Sequence, residues 1–258
     1  MSDPGLQVQR ADARFRTAAT GIDSRHVFSF GAHYDPGLVG HGPLVVLNEE
    51  TVQTGRGFDD HPHADAEILT WVLSGSLQHA DSTGHRGVVV PGLAQRLSAG
   101  SGVVHAERND AYRTDPGAPR QPVRFVQMWL RPDQPGGPPR YEQGAVDLAG
   151  LAGQWQPVAS GSHPDAAVGI GTAGATLWVT RLAPGTARSL PVGPLSHLYV
   201  ARGEVDLEGV GPLATGDSVA MTGDPGRRLT GRRIAEVLVW TLPAAPPATG
   251  TSAVRGRA

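Results

Sequence analysis

The chain contains no cysteine. Disulfides, thiolate nucleophiles, iron–sulfur clusters and cysteine–zinc sites are therefore excluded, and any metal must be held by nitrogen and oxygen ligands. Lysine is absent too, because all 22 basic residues are arginine. That removes a lysine Schiff base and a lysine general base. There is no strong charge of either sign, with a net charge of -2. Nucleic acid needs a basic surface, so no direct nucleic-acid binding is expected. No apolar run approaches the length of a membrane span, and no membrane partner is expected. The opening residues MSDPGLQVQRADARFR lack the apolar core of a signal peptide, so a cytoplasmic location is expected. No Gly-x-Ser-x-Gly elbow supports serine hydrolase chemistry, and no helix pattern follows Gly100-Ser101-Gly102 as a phosphate cradle would require. Long amphipathic helices are missing, and Val146–Gln154 is the one stretch for which a short helix is expected.

What is present reads as β-structure. Glycine (35) and proline (22) are spread through the 258 residues and punctuate short apolar runs. Expected strands are His26–Phe30, Leu44–Asn48, Glu67–Leu73, Leu77–Asp81, Gly87–Val90, Gln95–Ser98 and Arg124–Leu130. The turn-rich segment RPDQPGGPP, Arg131–Pro139, marks a domain boundary. A second series follows at Thr176–Leu182, His197–Ala201, Glu204–Glu208, Asp217–Met221 and Ala235–Thr241. Within it, Tyr199–Met221 echoes Trp71–Gly92: an apolar strand, a glycine turn, a second strand and another glycine turn. Two similar β modules are implied. The residues from Pro243 to Ala258 are rich in Pro, Ala, Gly and Thr, and a disordered tail is expected there.

Two short pairs carry the chemistry: His61-Pro62-His63 and His105-Ala106-Glu107. In a strand, residues i and i+2 point to the same face, so each pair aims two donors at one point. Two such strands side by side would offer three imidazoles and a carboxylate, a fitting shell for a divalent metal. A lone His-x-His is more often a satisfied or exposed pair than a ligand pair. Here the surroundings add weight: Gly55-x5-His61-x-His63-x3-Glu67 has the shape of the first cupin motif, and Gly102-x2-His105-x3-Asn109 that of the tail of the second. The carboxylate is open at this point. Glu67 has the parity of His63 but would lie about 13 Å along a straight strand, at roughly 3.3 Å per residue. Glu107 shares a face with His105, and geometry leans toward it. His197 lacks a partner ligand and reads as structural. His33, His41, His79 and His85 fall in or near turns, where exposed or capping roles are expected, though His33 or His41 could line the pocket. Trp71, Trp129, Trp178 and Trp240 read as core, and Asp59-Asp60 as a solvated turn.

The run from Gly57 to Asn109, GFDDHPHADAEILTWVLSGSLQHADSTGHRGVVVPGLAQRLSAGSGVVHAERN, resembles the pirin family of bicupins, and in particular the bacterial pirin-like quercetinases. His26–Val52 resembles the family's opening segment and Phe125–Gln143 the end of its first cupin. The resemblance implies an all-β fold of two tandem cupin (jelly-roll-like) β-barrels: a metal-bearing N-terminal cupin over 1–143 and a degenerate one over 144–242, with 243–258 as the tail. It implies metal ligation by His61, His63, His105 and Glu107, and gives Glu67 a supporting role. It favours one divalent ion, Fe(II), while the donor set also admits Ni, Cu, Zn, Co or Mn. Where the family carries Arg soon after the His-Pro-His, this chain has Ala64-Asp65-Ala66. The implied activity is quercetin 2,3-dioxygenase-type cleavage of a flavonol-like substrate by O2, with Glu107 as general base. A second reading is an iron-dependent, redox-sensing regulator that acts on a protein partner without turnover. A third is a cupin with a merely structural metal. A monomer is expected.

Overall fold

Strand runs and glycine turns build four sheets in the computed structural model, which describes residues 5–244. One seven-stranded sheet runs, in spatial order, Arg140–Ala145, Leu93–Ser98, Glu67–Ser74, Val123–Leu130, Leu44–Val52, Ile22–His26 and Phe15–Ala19. Against it lies a four-stranded sheet of Gly57–His63, Val103–Arg108, Leu77–Asp81 and Arg86–Val89. The second half repeats the plan. Its large sheet is Leu6–Gln9, Ser218–Thr222, Leu195–Arg202, Ala235–Leu242, Thr176–Leu182, Gln156–Ser160 and Val168–Gly169, and its small sheet is Ala187–Ser189, Arg228–Gly231, Glu204–Leu207 and Gly211–Ala214. The architecture is all-β, with two jelly-roll-like barrels.

The two large sheets pack back to back. In Glu67–Ser74, the side chains of Leu69, Trp71 and Leu73 join a core that includes Val179, Tyr199, Leu238 and Trp240 of the second barrel. Ile68 and Val72 point the other way, into the first barrel. Both faces are buried, so the strand reads as a continuous apolar run rather than an alternating one. Burying one such large side chain contributes about 2–3 kcal/mol. Polar side chains on this seam are paired across it. Trp71 Nε1 donates to Glu236 Oε1 at 2.8 Å. Arg124 Nε donates to Glu49 Oε1 at 2.9 Å, and its Nη2 reaches the Ala201 carbonyl at 2.8 Å.

The internal echo is structural. Gly75 (φ 80°) and Gly203 (φ 77°) turn the equivalent strands from the large sheet into the small one. A Cβ on Gly203 would collide with the Ile234 carbonyl, so the turn needs glycine for space as well as conformation.

Two expectations differ from the structure. The strand expected at His26–Phe30 is Ile22–His26, and the chain leaves the sheet after it. Consecutive Val27 and Phe28 both enter the seam between the barrels, which a regular strand cannot do. Val146–Gln154 forms turns, with Gly153 at φ 67° and Leu151 anchored in the seam. The strand Arg140–Ala145 spans position 143/144. Arg140–Ala145 is an edge strand of the first barrel, and Leu6–Gln9 pairs in register with Ser218–Met221 of the second. This exchange covers a sheet edge that would otherwise be open. Of the expected tail, residues 245–258 lie outside the described residues. No described helix is long and apolar enough to cross a membrane.

Candidate metal centre

The small sheet of the first barrel brings the two ligand pairs together. Val103–Arg108 runs antiparallel to Gly57–His63, with His105 opposite His61 and Val103 opposite His63. The three imidazole centroids lie 4.8 Å (His61–His63), 4.4 Å (His61–His105) and 4.8 Å (His63–His105) apart. His63 and His105 are buried, and the Nε2 atom of each has no hydrogen-bond partner. A buried, unpartnered imidazole nitrogen costs free energy unless something not yet counted accepts its lone pair. Burial, reinforced by the neighbouring imidazoles, lowers both histidines to a pKa of about 3. They are neutral at physiological pH, the state a metal requires. His61 Nδ1 lies 2.7 Å from the Asp59 carbonyl. A carbonyl only accepts, so Nδ1 carries the proton and the Nε2 lone pair is free.

Against Gly57–His63 the register slips by a β-bulge between His105 and Glu107, which places Glu107 opposite Phe58, while the unbroken register with Leu77–Asp81 sets Glu107 opposite His79. Glu107 is 1% exposed. Its Oε2 accepts Gln127 Nε2 at 2.6 Å, and Thr70 Oγ1 lies 3.4 Å from its Oε1. Trp129 Nε1 donates to Gln127 Oε1 at 3.1 Å, so the amide can present only its NH2 to the carboxylate. No arginine pairs with Glu107 among the described residues. A buried carboxylate without a cation suits a metal neighbour. Donor atoms fall into two groups, each within 4.8 Å: His61 with His63 and His105, and His79 with His105 and Glu107. His105 belongs to both. The four expected residues thus share one end of one barrel, with Glu107 offset toward His79.

Glu67 belongs to neither group. Its Oε2 accepts Ser98 Oγ at 2.9 Å, and its Oε1 lies against Gly171 of the second barrel. Asp65 adopts φ 52° between the two strands and resets the alternation, so matching parity with His63 does not carry across the bend. Asn109 is also outside the groups; its Nδ2 clamps the Val52 and Gln121 carbonyls, both at 2.9 Å.

His79 is the residue that the sequence reading missed. Expected near a turn and exposed, it is fully buried on Leu77–Asp81, with its ring 5.3 Å from that of His105. The signal was there: Leu77, His79 and Asp81 share one face by strand alternation, and through the pairs His105↔Asp81 and Glu107↔His79 it is the face that carries His105 and Glu107. His41 does not line this pocket; it contacts the Met221 carbonyl at 3.1 Å in the second barrel. His33 stacks on Phe15, away from the centre. His197 is buried in the second barrel and belongs to no metal-binding group among the described residues. Trp71, Trp129 and Trp240 are buried, while Trp178 is partly so. Asp59 and Asp60 are exposed. His63 also borders a surface cavity of about 290 Å³ lined by Pro62, Ala64, Ser82, Gly102, Val103 and Val104, and strand alternation turns Pro62 and Val104 away from the imidazole cluster.

The sequence pattern of the pirin family matches residues 8–130. A Mycobacterium tuberculosis protein provisionally named quercetin 2,3-dioxygenase is 45% identical over 238 residues, covering 92% of this chain and 95% of its own. The Escherichia coli K12 protein named quercetin 2,3-dioxygenase is 37% identical over 142 residues, 55% of this chain and 58% of its own. The crystal structure of the bacterial pirin YhhW of Escherichia coli in complex with nickel(II) superposes with a TM-score of 0.81 at 29% identity, covering 92% of this chain and 99% of that one. With a relative of this identity along nearly its whole length, and a fold to match, the chain belongs to the pirin family.

Proposed function

We propose that this protein is a metal-dependent dioxygenase of the quercetin 2,3-dioxygenase type, with His61, His63, His105 and Glu107 as ligands of one divalent ion, Fe(II). The observation that carries the reading is the pair of buried, unpartnered Nε2 atoms on His63 and His105, aimed into a three-imidazole cluster. Bound there, the ion supplies Lewis acidity and positions open to a chelating hydroxy-carbonyl substrate and to dioxygen.

The chain's own residues do the rest. Glu107 would act as base through Oε1 once that oxygen is free of the ion; among the described residues Oε1 is hydrogen-bonded only by Thr70, at 3.4 Å, while Gln127 holds Oε2 in place. Phe125 and Trp129 wall the interior and exclude water.

The test is anaerobic loading with Fe(II), addition of quercetin, then admission of air while the flavonol absorbance is followed. The band is expected to decay with the wild-type chain and to persist with His63→Ala. Persistence of the band in the wild-type chain loaded in turn with Fe, Ni, Co, Mn and Cu would reject the activity. Metal analysis of the purified protein identifies the ion.

A further inference from the structure

Behind His105 lies a second layer of hydrogen bonds that the proposed activity has not used. Asp81 has a side-chain exposure of 0%. Its Oδ1 accepts three donors from the following turn: Thr83 N at 2.9 Å, Thr83 Oγ1 at 2.6 Å and His85 N at 3.2 Å. Its Oδ2 faces His79 Nε2 at 3.1 Å. His85 Nδ1 lies farther from Oδ2, at 3.5 Å, and meets Thr83 Oγ1 at 2.8 Å. His79 Nδ1 in turn faces His105 Nδ1 at 3.5 Å, and both rings are buried.

With one proton on each ring, these contacts allow one assignment. A carboxylate accepts only, so His79 Nε2 carries the hydrogen. The singly protonated ring then presents its Nδ1 lone pair. His105 Nδ1 must carry a hydrogen to face it, which leaves the lone pair of His105 on Nε2, the atom with no partner in the structure. We propose that Asp81 and His79 are positioning residues that set the tautomer and ring orientation of His105, so that its Nε2 lone pair points into the three-imidazole cluster. Outer partners of this kind set both the tautomer and the basicity of a ligating imidazole. The purpose of the chain rests on the metal reading above; the chain itself does not. The competing reading makes His79 a ligand, since His79, His105 and Glu107 also present donor atoms within 4.8 Å of one another.

Asp81→Asn tests the idea at constant shape. Three donors pin the oxygen at the Oδ1 position, so the new amide NH2 must face His79. His79 Nε2 then accepts, its proton moves to Nδ1, and His105 is driven to the opposite tautomer, with hydrogen on Nε2. Long-range 1H–15N spectra of the imidazoles in the metal-free protein read this directly. The wild-type chain is expected to hold His105 with hydrogen on Nδ1, and Asp81→Asn to switch it. Nickel(II) affinity by calorimetry is expected to fall about 10–100-fold in Asp81→Asn and His79→Leu. In His79→Gln the amide oxygen can face His105 and the NH2 can face Asp81, so most of the affinity is expected to return. An unchanged His105 tautomer in Asp81→Asn overturns the proposal. So does His79→Gln that binds nickel(II) as weakly as His79→Leu and loses one nitrogen neighbour by X-ray absorption. If the wild-type chain binds no nickel(II) or iron(II), the proposed function fails, and the metal-free tautomer still decides this inference.

Discussion

His197 offers a sharp test of how the second barrel is held. It is 2% exposed, its Nδ1 has no hydrogen-bond partner, and it packs beside Phe28 (5.4 Å between centroids) and His41 (6.3 Å) of the first half. Burial, with a further push from His41, lowers its pKa from 6.5 to about 3. The folded state therefore refuses a proton that the unfolded chain accepts. The sign follows from linkage: this contribution to stability is complete above about pH 6.5, erodes as pH falls and is gone below about pH 3. The loss by pH 5 is about 2 kcal/mol, from the roughly 1.4 kcal/mol carried by each pH unit below 6.5. His197→Leu removes the titrating group at similar volume. Urea unfolding of both metal-free chains from pH 8 to pH 4.5 makes the comparison, and the other titrating groups cancel in the difference. Wild type is expected to lose about 2 kcal/mol relative to His197→Leu between pH 7 and pH 5. Curves that stay parallel to within about 0.5 kcal/mol would refute the reasoning.

Three further outcomes are expected. Glu50 is buried in the first barrel, and burial, opposed by a hydrogen bond from Ser24, pushes its pKa up to about 8. An acid raised in this way costs stability only as pH climbs past about 4.5, so Glu50→Gln should gain on the metal-free wild type by about 4 kcal/mol at pH 8 and by nothing near pH 4, by urea unfolding. Arg124→Met strips Glu49, whose side chain is 12% exposed, of a 2.9 Å ion pair in the seam. It should lower stability by about 3–5 kcal/mol by the same assay. Gly203→Ala meets both a φ of 77° and the Ile234 carbonyl, and should cost at least about 2–3 kcal/mol in thermal unfolding.

The ligand pairs were legible in the sequence because strand alternation is a local property. His61 and His63, and His105 and Glu107, each share a face whatever the rest of the chain does. The same reasoning failed for Glu67, where one residue, Asp65 at φ 52°, broke the alternation between strands. It missed His79 because the strand Leu77–Asp81 was judged by its nearby turn, not by the strand that pairs with it. Burial of His79 depends on the register Glu107↔His79, set by hydrogen bonds between residues far apart in the chain.

By itself, then, the sequence determined the absence of thiolate and lysine chemistry, the β architecture, the repeated strand–glycine turn–strand unit at Gly75 and Gly203, and the faces on which the candidate ligands lie. All of these follow from residue types and periods of two. Only the tertiary structure decided the rest: the register that sets Glu107 beside His79, the Asp81–His79–His105 chain, the turning of Glu67 to the second barrel, and the lending of Leu6–Gln9 to the far sheet. Those features depend on which strands pair and in what register. Pairing is chosen by burial of whole faces against one another, a free energy summed over residues far apart in the chain, and no local pattern carries it.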